Sequence, residues 1–234
     1  MIYIQKNTET GMPQGSDAAL AMYGAIESEQ KYKLIDINEL DRIPSSAFIS
    51  NIFIGTVEFM LTVFEKGNID VPKLPRNSNR VSEIMNIEEA IDRIENDEVL
   101  FVKPTITKLF TGLVADKYCT SYLRAYDKNT EVLVYPVIDN LISEWRVYIS
   151  DGKIIDSRHY LGDFKIIPDY DLVESIVKDN SDFPSTYTID IGITSKNENF
   201  VVEFNDMWAI GNYGIENMTY LRLLKKRYIE IIKK

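Results

Sequence analysis

Hydrophobic positions in the first part of the chain fall into runs of two kinds, short continuous ones and longer ones with helical spacing. Met1–Ile4 is apolar and predicts a short strand. Ser16 offers an N-cap for a helix to about Glu29, with Ala18, Met22 and Ala25–Ile26 sharing one face. Tyr32–Ile37 predicts a second strand. Thr56–Lys66 predicts a very apolar helix through Val57, Phe59, Met60, Leu61, Val63 and Phe64, with Gly67 ending it. Strands alternating with helices predict a small α/β unit here. Asn68–Arg80 carries Pro72 and Pro75 and predicts a linker. Asn86 and Glu89 have capping-box spacing, with Asn in place of Ser or Thr, ahead of a helix Ile87–Ile94.

From Glu98 the pattern becomes β-rich. Val99–Lys103, Glu131–Tyr135, Glu144–Ser150 and Lys153–Tyr160 predict strands, and Asp151-Gly152 is a two-residue hairpin signal between the last two. Asp169–Lys178 predicts a helix. Thr186–Gly192 and Asn199–Asn205 predict another hairpin, turned by Ser195–Glu198. A helix from about Glu216 to Lys234 closes the chain, with Leu221, Leu224, Tyr228 and Ile231–Ile232 as its apolar stripe. Lys225, Lys226 and Arg227 lie toward its C-terminal end, where cations suit the helix dipole. Burial or exposure of the stripe decides between packing within the chain and a homodimer interface, so the oligomeric state stays open.

The 234 residues suffice for one domain or two small ones. Lys plus Arg is 26 against 36 for Asp plus Glu, a net charge of −10, which repels phosphate backbones and argues against a nucleic-acid partner. One cysteine, Cys119, excludes an internal disulfide and a Cys-cluster zinc site. One histidine, His159, excludes a multi-His metal site. Any metal is therefore held by oxygens, which points to magnesium, manganese or calcium. No signal-peptide core and no membrane-length apolar run occurs, so a cytoplasmic protein with no membrane partner is expected.

The common phosphate-loop, dinucleotide and nucleophile-elbow fingerprints are absent. Three other segments carry candidate chemistry. Lys103 ends an apolar strand, and Lys108 precedes Thr111-Gly112 in a short connection. Two lysines around a tight loop suit a polyphosphate; taken alone, they read more readily as edge lysines over solvent. Glu144, Arg146 and Tyr148 share one strand face, where the acid and the guanidinium either neutralise each other or bracket a nucleotide. Glu203 and Asn205 share a face about 6.6 Å apart along a strand. Asp190, on the preceding strand of the hairpin, can pair beside them. Asp, Glu and Asn are hard oxygen ligands suited to magnesium on a nucleotide. The flanking apolar residues Ile189, Ile191, Val202 and Phe204 argue against a merely solvated face.

In this order, the three segments resemble an ATP-grasp ligase, and within that superfamily the small phage and bacterial clade named for one arginine and two lysines. The resemblance rests on Val102-Lys103-Pro104, Lys108-Leu109-Phe110-Thr111-Gly112, Glu144-Trp145-Arg146-Val147 and Val202-Glu203-Phe204-Asn205-Asp206, and spans about Glu98–Gly214. It implies an α+β ATP-grasp fold, mainly antiparallel sheets with helices, over residues 86–234, preceded by a small α/β domain over 1–85. It implies ATP and magnesium as cofactors. Lys103 would contact the nucleotide near the adenine and α-phosphate. Lys108, Thr111 and Gly112 would cover the β- and γ-phosphates. Val134–Ile138, with Tyr135 and Val137, would present backbone to the adenine edge. Glu144 would bind ribose, Arg146 would act with Lys108 on the transferring phosphoryl group, and Asp190, Glu203 and Asn205 would hold magnesium. Asp206–Gly214 would line the acceptor side. The loop between Lys103 and Thr111 departs from the larger enzymes of the superfamily in lacking multiple glycines.

The implied activity is that of an ATP-dependent ligase joining a carboxylate to an amine through an acylphosphate, with a small molecule, peptide or protein as acceptor. No protein nucleophile is needed, so Cys119 is expected to be packing or incidental and His159 to be structural or at the surface. A small-molecule kinase and a non-catalytic nucleotide-binding regulator are the alternatives.

Overall fold

A computed structural model describes residues 1–74, 82–106, 109–110 and 112–233. The chain forms two compact units, one of Met1–Asn77 with Ile142–Lys234, the other Ser78–Leu141.

The first unit begins with β1 (Ile2–Gln5), α1 (Gly15–Glu27), β2 (Tyr32–Ile35), α2 (Ser45–Phe48), β3 (Ile52–Ile54) and α3 (Val57–Gly67). The strands form a parallel sheet in the order β2-β1-β3, so the expected α/β opening is present. Several local expectations need correction. Ser16 does not cap α1: the N-cap is Gln14, without a side-chain cap bond. Ala18 and Ala25 are buried, whereas Ile26 is exposed. β2 stops at Ile35 because Asp36 accepts from the amides of Asn38 and Glu39, and Glu39 caps Asp36 in return, starting a 3-10 turn over Ile37–Arg42. Gly67 is the last residue of α3; the left-handed terminator is Asn68, at φ 51°.

The second unit contains β4 (Glu83–Asn86), α4 (Ile87–Glu95), β5 (Leu100–Pro104), β6 (Leu113–Ala115), α5 (Thr120–Leu123) and β7 (Glu131–Pro136). Its strands run antiparallel in the order β4-β7-β5-β6. Ile87, Ala90, Ile91 and Ile94 of α4 pack with Leu100, Val102, Val132 and Val134 in a core of their own. The capping box is present: Asn86 Oδ1 accepts from the Glu89 amide at 2.8 Å, and Glu89 accepts from the Asn86 amide at 2.9 Å.

The chain then returns to the first unit through β8 (Leu141–Ser150), β9 (Lys153–Gly162), α6 (Tyr170–Asp179), β10 (Thr186–Thr194), β11 (Asn199–Asp206) and α7 (Asn217–Ile232). The sheet order is β11-β10-β8-β9. Asp151 and Gly152 both take positive φ in the β8–β9 turn, as the two-residue hairpin requires. Every residue of β10 is buried. The stripe of α7 is covered within the chain: Leu221 and Leu224 pack with Ile2, Ile4 and α1, and Tyr228 with Phe53 and Phe64. A Cβ at Gly24 of α1 would lie 2.4 Å from the Asn217 carbonyl, so glycine permits the close approach of these two helices. Arg227 is buried rather than spent on the helix dipole, gripping Asp206 through Nε and Nη2 at 2.7 and 2.6 Å. Among the described residues, no helix is long and apolar enough to cross a membrane.

Candidate functional site

Strand alternation gathers polar side chains on one face of the β11-β10-β8-β9 sheet. Asp190 on β10 lies opposite Glu203 on β11, and Thr188 opposite Asn205. The same side chains on a solvated hairpin would cost nothing; here Thr188 and Asp190 are buried, at 0% and 2% exposure. Arg146 on β8 answers the buried charge. Its Nε donates to Asp190 Oδ1 at 2.8 Å and its Nη2 to Oδ2 at 2.7 Å, a two-pronged grip. Asn205 Nδ2 donates to Asp190 Oδ2 at 3.3 Å and to Glu203 Oε1 at 2.9 Å, so one amide bridges both carboxylates. Burial pushes the Asp190 carboxyl up to about 6 against the opposing pull of Arg146, and the neighbouring Glu203 and Glu144 add to the rise.

The segment after β11 is fastened to this face. Arg146 Nη1 donates to the Gly211 carbonyl at 3.2 Å, and the Tyr148 hydroxyl donates to the Asn212 carbonyl at 2.6 Å. Asn212 donates from its amide and its Nδ2 to Asp17 Oδ1 on α1, at 2.8 and 2.7 Å. Directly after these anchors Tyr213 adopts φ 45°, a left-handed conformation that a bulky residue takes only when its surroundings impose it. Its ring lies 4.6 Å from the Arg146 guanidinium and stacks on Tyr160 at 4.6 Å. Glu144 pairs with Leu161, and Trp145 with His159, so Tyr160 is the extra residue of a bulge. The bulge aims its hydroxyl at Glu144 Oε2, 2.6 Å away. Burial, then the nearby carboxylates, raise the Tyr160 hydroxyl well above its ordinary range, so it stays a donor.

In the second unit, Lys103 lies opposite Leu133 and Phe101 opposite Tyr135. These alternate with the buried Leu100, Val102 and Val134, and therefore occupy the sheet face turned away from α4. The rings of Phe101 and Tyr135 are 6.1 Å apart. Gly112 abuts this face: a Cβ there would come within 2.7 Å of the Phe101 ring. Tyr135 and Val137 also border a recess of about 440 Å³ with Glu83, Arg93 and Asp139. Lys108 and Thr111 lie outside the described residues.

Glu144, Arg146, Asp190, Glu203 and Asn205 thus come together on the first unit, and Lys103, Tyr135 and Gly112 on one side of the second unit's sheet. Sequence reasoning missed Asp17, Thr188 and Tyr213 as individual contributors. Thr188 carried a usable signal, being two residues from Asp190 on the same strand face. Asp17 carried none, since its partner is 195 residues away. Among the described residues, no group of three or more His, Cys, Asp or Glu side chains is arranged to hold a metal. The candidate donor set is two carboxylates and one amide, all hard oxygen donors. Its chemistry fits magnesium.

The family model for an ATP-grasp domain, family 2 of the clade named for one arginine and two lysines, matches residues 79–223, more than half of the chain. No curated protein sequence matches significantly. Among solved structures, the D-cycloserine synthetase DcsG is 11% identical with a TM-score of 0.57, covering 97% of this chain and 100% of its own. The N5-carboxyaminoimidazole synthetase of Staphylococcus aureus is 10% identical with a TM-score of 0.56, covering 96% and 77%. The D-alanine–D-alanine ligase of Bacillus anthracis is 11% identical with a TM-score of 0.51, covering 99% and 97%. At such identities these likenesses speak for the fold, and the family match speaks for descent: the chain belongs to family 2 of the arginine-and-two-lysine clade of ATP-grasp domains.

Proposed function

We propose that the chain is an ATP-dependent ligase that joins a carboxylate to an amine, the acceptor being a small molecule, peptide or protein. The observation that carries this reading is the buried Arg146–Asp190 pair on one sheet face with Asn205 and Glu203. Buried charge of this density is costly for a structural sheet and useful where phosphate charge must be met. Membership of the family supports the same assignment.

In the proposed reaction, a substrate carboxylate oxygen attacks the γ-phosphorus of ATP. The bond to the β-phosphate oxygen breaks and ADP leaves. The amine nitrogen then attacks the acylphosphate carbon, loses a proton, and expels phosphate as the amide forms. The protein's contribution is positioning and charge neutralisation. Arg146 has N–H groups beyond those bound to Asp190 and Gly211, and these would meet the phosphoryl or acylphosphate oxygens. Lys103 and Lys108 would bind phosphates, with Thr111 and Gly112 closing over them. Tyr135 and Val137 would present backbone to the adenine, and Glu144, oriented by Tyr160, would take the ribose. Asp190, Glu203 and Asn205 would hold magnesium, which when bound offsets phosphate charge.

Titration calorimetry of ATP with and without magnesium tests the nucleotide assignment. Wild type is expected to bind ATP in a magnesium-dependent way, and Glu203→Ala to lose that dependence. Release of ADP and phosphate only when a carboxylate and an amine are both supplied identifies the ligase. A folded wild type that fails to bind ATP overturns the proposal.

A further inference from the structure

Thr188 is fully buried, and its hydroxyl has no hydrogen-bond partner among the described residues. Buried hydroxyls are nearly always bonded, because burial strips away their water. Its location gives the exception a reason. Thr188 is two residues before Asp190 on β10, so both side chains leave the same face of the sheet. Across the hairpin it lies opposite Asn205, the residue whose amide bridges Asp190 and Glu203. The register break in this hairpin falls after Asp190, so the pairing at Thr188 is undisturbed. Thr188, Asp190, Glu203 and Asn205 thus form a two-by-two block of side chains, and the Thr188 hydroxyl is the member of it left unbonded among the described residues.

We infer that the Thr188 hydroxyl is a fourth member of the divalent-cation site, hydrogen-bonding the water that the cation carries. The inference rests on the ligase reading for the cation site itself. A hydroxyl both donates and accepts, so it matches a water whose other contacts are carboxylates. Magnesium gives up its waters reluctantly and keeps several when bound by one or two carboxylates, so such a site needs groups that hold water as well as groups that hold the ion. A water brought by the ion would satisfy the hydroxyl that is unbonded among the described residues.

Two variants separate the hydroxyl from the shape of the side chain. Thr188→Val keeps the volume and removes the oxygen; Thr188→Ser keeps the oxygen. Free manganese is followed by electron paramagnetic resonance while the ion is titrated into each protein with saturating ADP, and each variant's melting temperature is recorded without ligand. Thr188→Val is expected to bind manganese at least about tenfold more weakly, in the range by which outer partners of metal sites act. Thr188→Ser is expected to stay within about threefold of wild type by the same measure. Without ligand, Thr188→Val is expected to melt no lower than wild type, since it loses only an unpaired buried hydroxyl. Manganese affinity unchanged in Thr188→Val overturns the inference and leaves the ligase reading intact. Equal weakening in both variants overturns it in favour of packing. Wild type that binds no manganese with ADP overturns the cation site itself, and this inference with it.

Discussion

Arg146 is buried, yet every identified group around it is polar or aromatic: the two oxygens of Asp190, the Gly211 carbonyl and the face of Tyr213. Such a pair is worth little against a well-packed apolar replacement, but breaking one half of it strands the other charge in the interior. Asp190→Ala and Arg146→Met are each expected to lower unfolding free energy by about 3–5 kcal/mol. The double variant Arg146→Met/Asp190→Leu is expected to be more stable than either single one, because no lone charge remains. Urea midpoints of the four proteins check this, and a double variant as weak as the sum of the singles counts against it. The sequence put Arg146 and Asp190 on strands and marked both as chemical. It did not pair them, because the β10–β8 neighbourhood joins residues 44 apart. The clamp from Asp17 through Asn212 was hidden for the same reason. Gly211, Asn212 and Gly214 announce a turn, but they do not mark Tyr213 as the residue that takes a left-handed conformation in it.

Local signals explain which elements were legible. The box formed by Asn86 and Glu89 was readable because both partners lie within one turn. Asp36 and Glu39 carry the same spacing, but the apolar run Leu34–Ile35 extended the strand reading over Asp36 to Ile37. β4 escaped notice because Glu83 and Ile84 are both exposed, so its edge position leaves no alternation to read. At the start of α7, Glu216 accepts from the amides of Met218 and Thr219 at 2.9 and 2.7 Å. Hydrogen bonds from the Thr219 side chain, then from the two amides, hold its carboxyl below the ordinary value of 4.5. A depressed carboxyl contributes stability above its unfolded pKa and loses it as pH falls through the folded one. Glu216→Ala is therefore expected to cost about 0.5–1 kcal/mol at pH 7, the lower part of the cap range for an exposed residue. The gap to wild type should close on acidification below pH 4.5. Thermal melts of both proteins across pH 3–7, an interval chosen to bracket that value, give the answer; a gap that persists in acid would mean Glu216 acts by something other than its charge.

At the scale of the whole molecule, the last helix completes the first sheet. β1, β2 and β3 bury their side chains against α1, α3 and α7, so residues from both ends of the chain share two cores. Periodicity made the apolar stripe of α7 visible but could not say what covers it. The structure answers through Tyr220, Leu221, Leu223, Leu224 and Tyr228, all at 3% exposure or less. At roughly 1.5–3 kcal/mol for each large apolar side chain buried, these five contribute on the order of 10 kcal/mol, as much as the whole stability of an ordinary domain. A chain cut after Ile215 is therefore expected to lose the cooperative fold of its first unit. The strands of Ser78–Leu141, whose core is drawn from α4, α5 and their own sheet, should keep their amides protected. Hydrogen exchange read by mass spectrometry distinguishes the two, peptide by peptide. Fast exchange through β1 and β3 with slow exchange in β5 and β7 is the expected pattern. Slow exchange in β1 and β3 after the cut would show that α1 and α3 alone hold the parallel sheet, and that α7 is an added layer rather than part of its core.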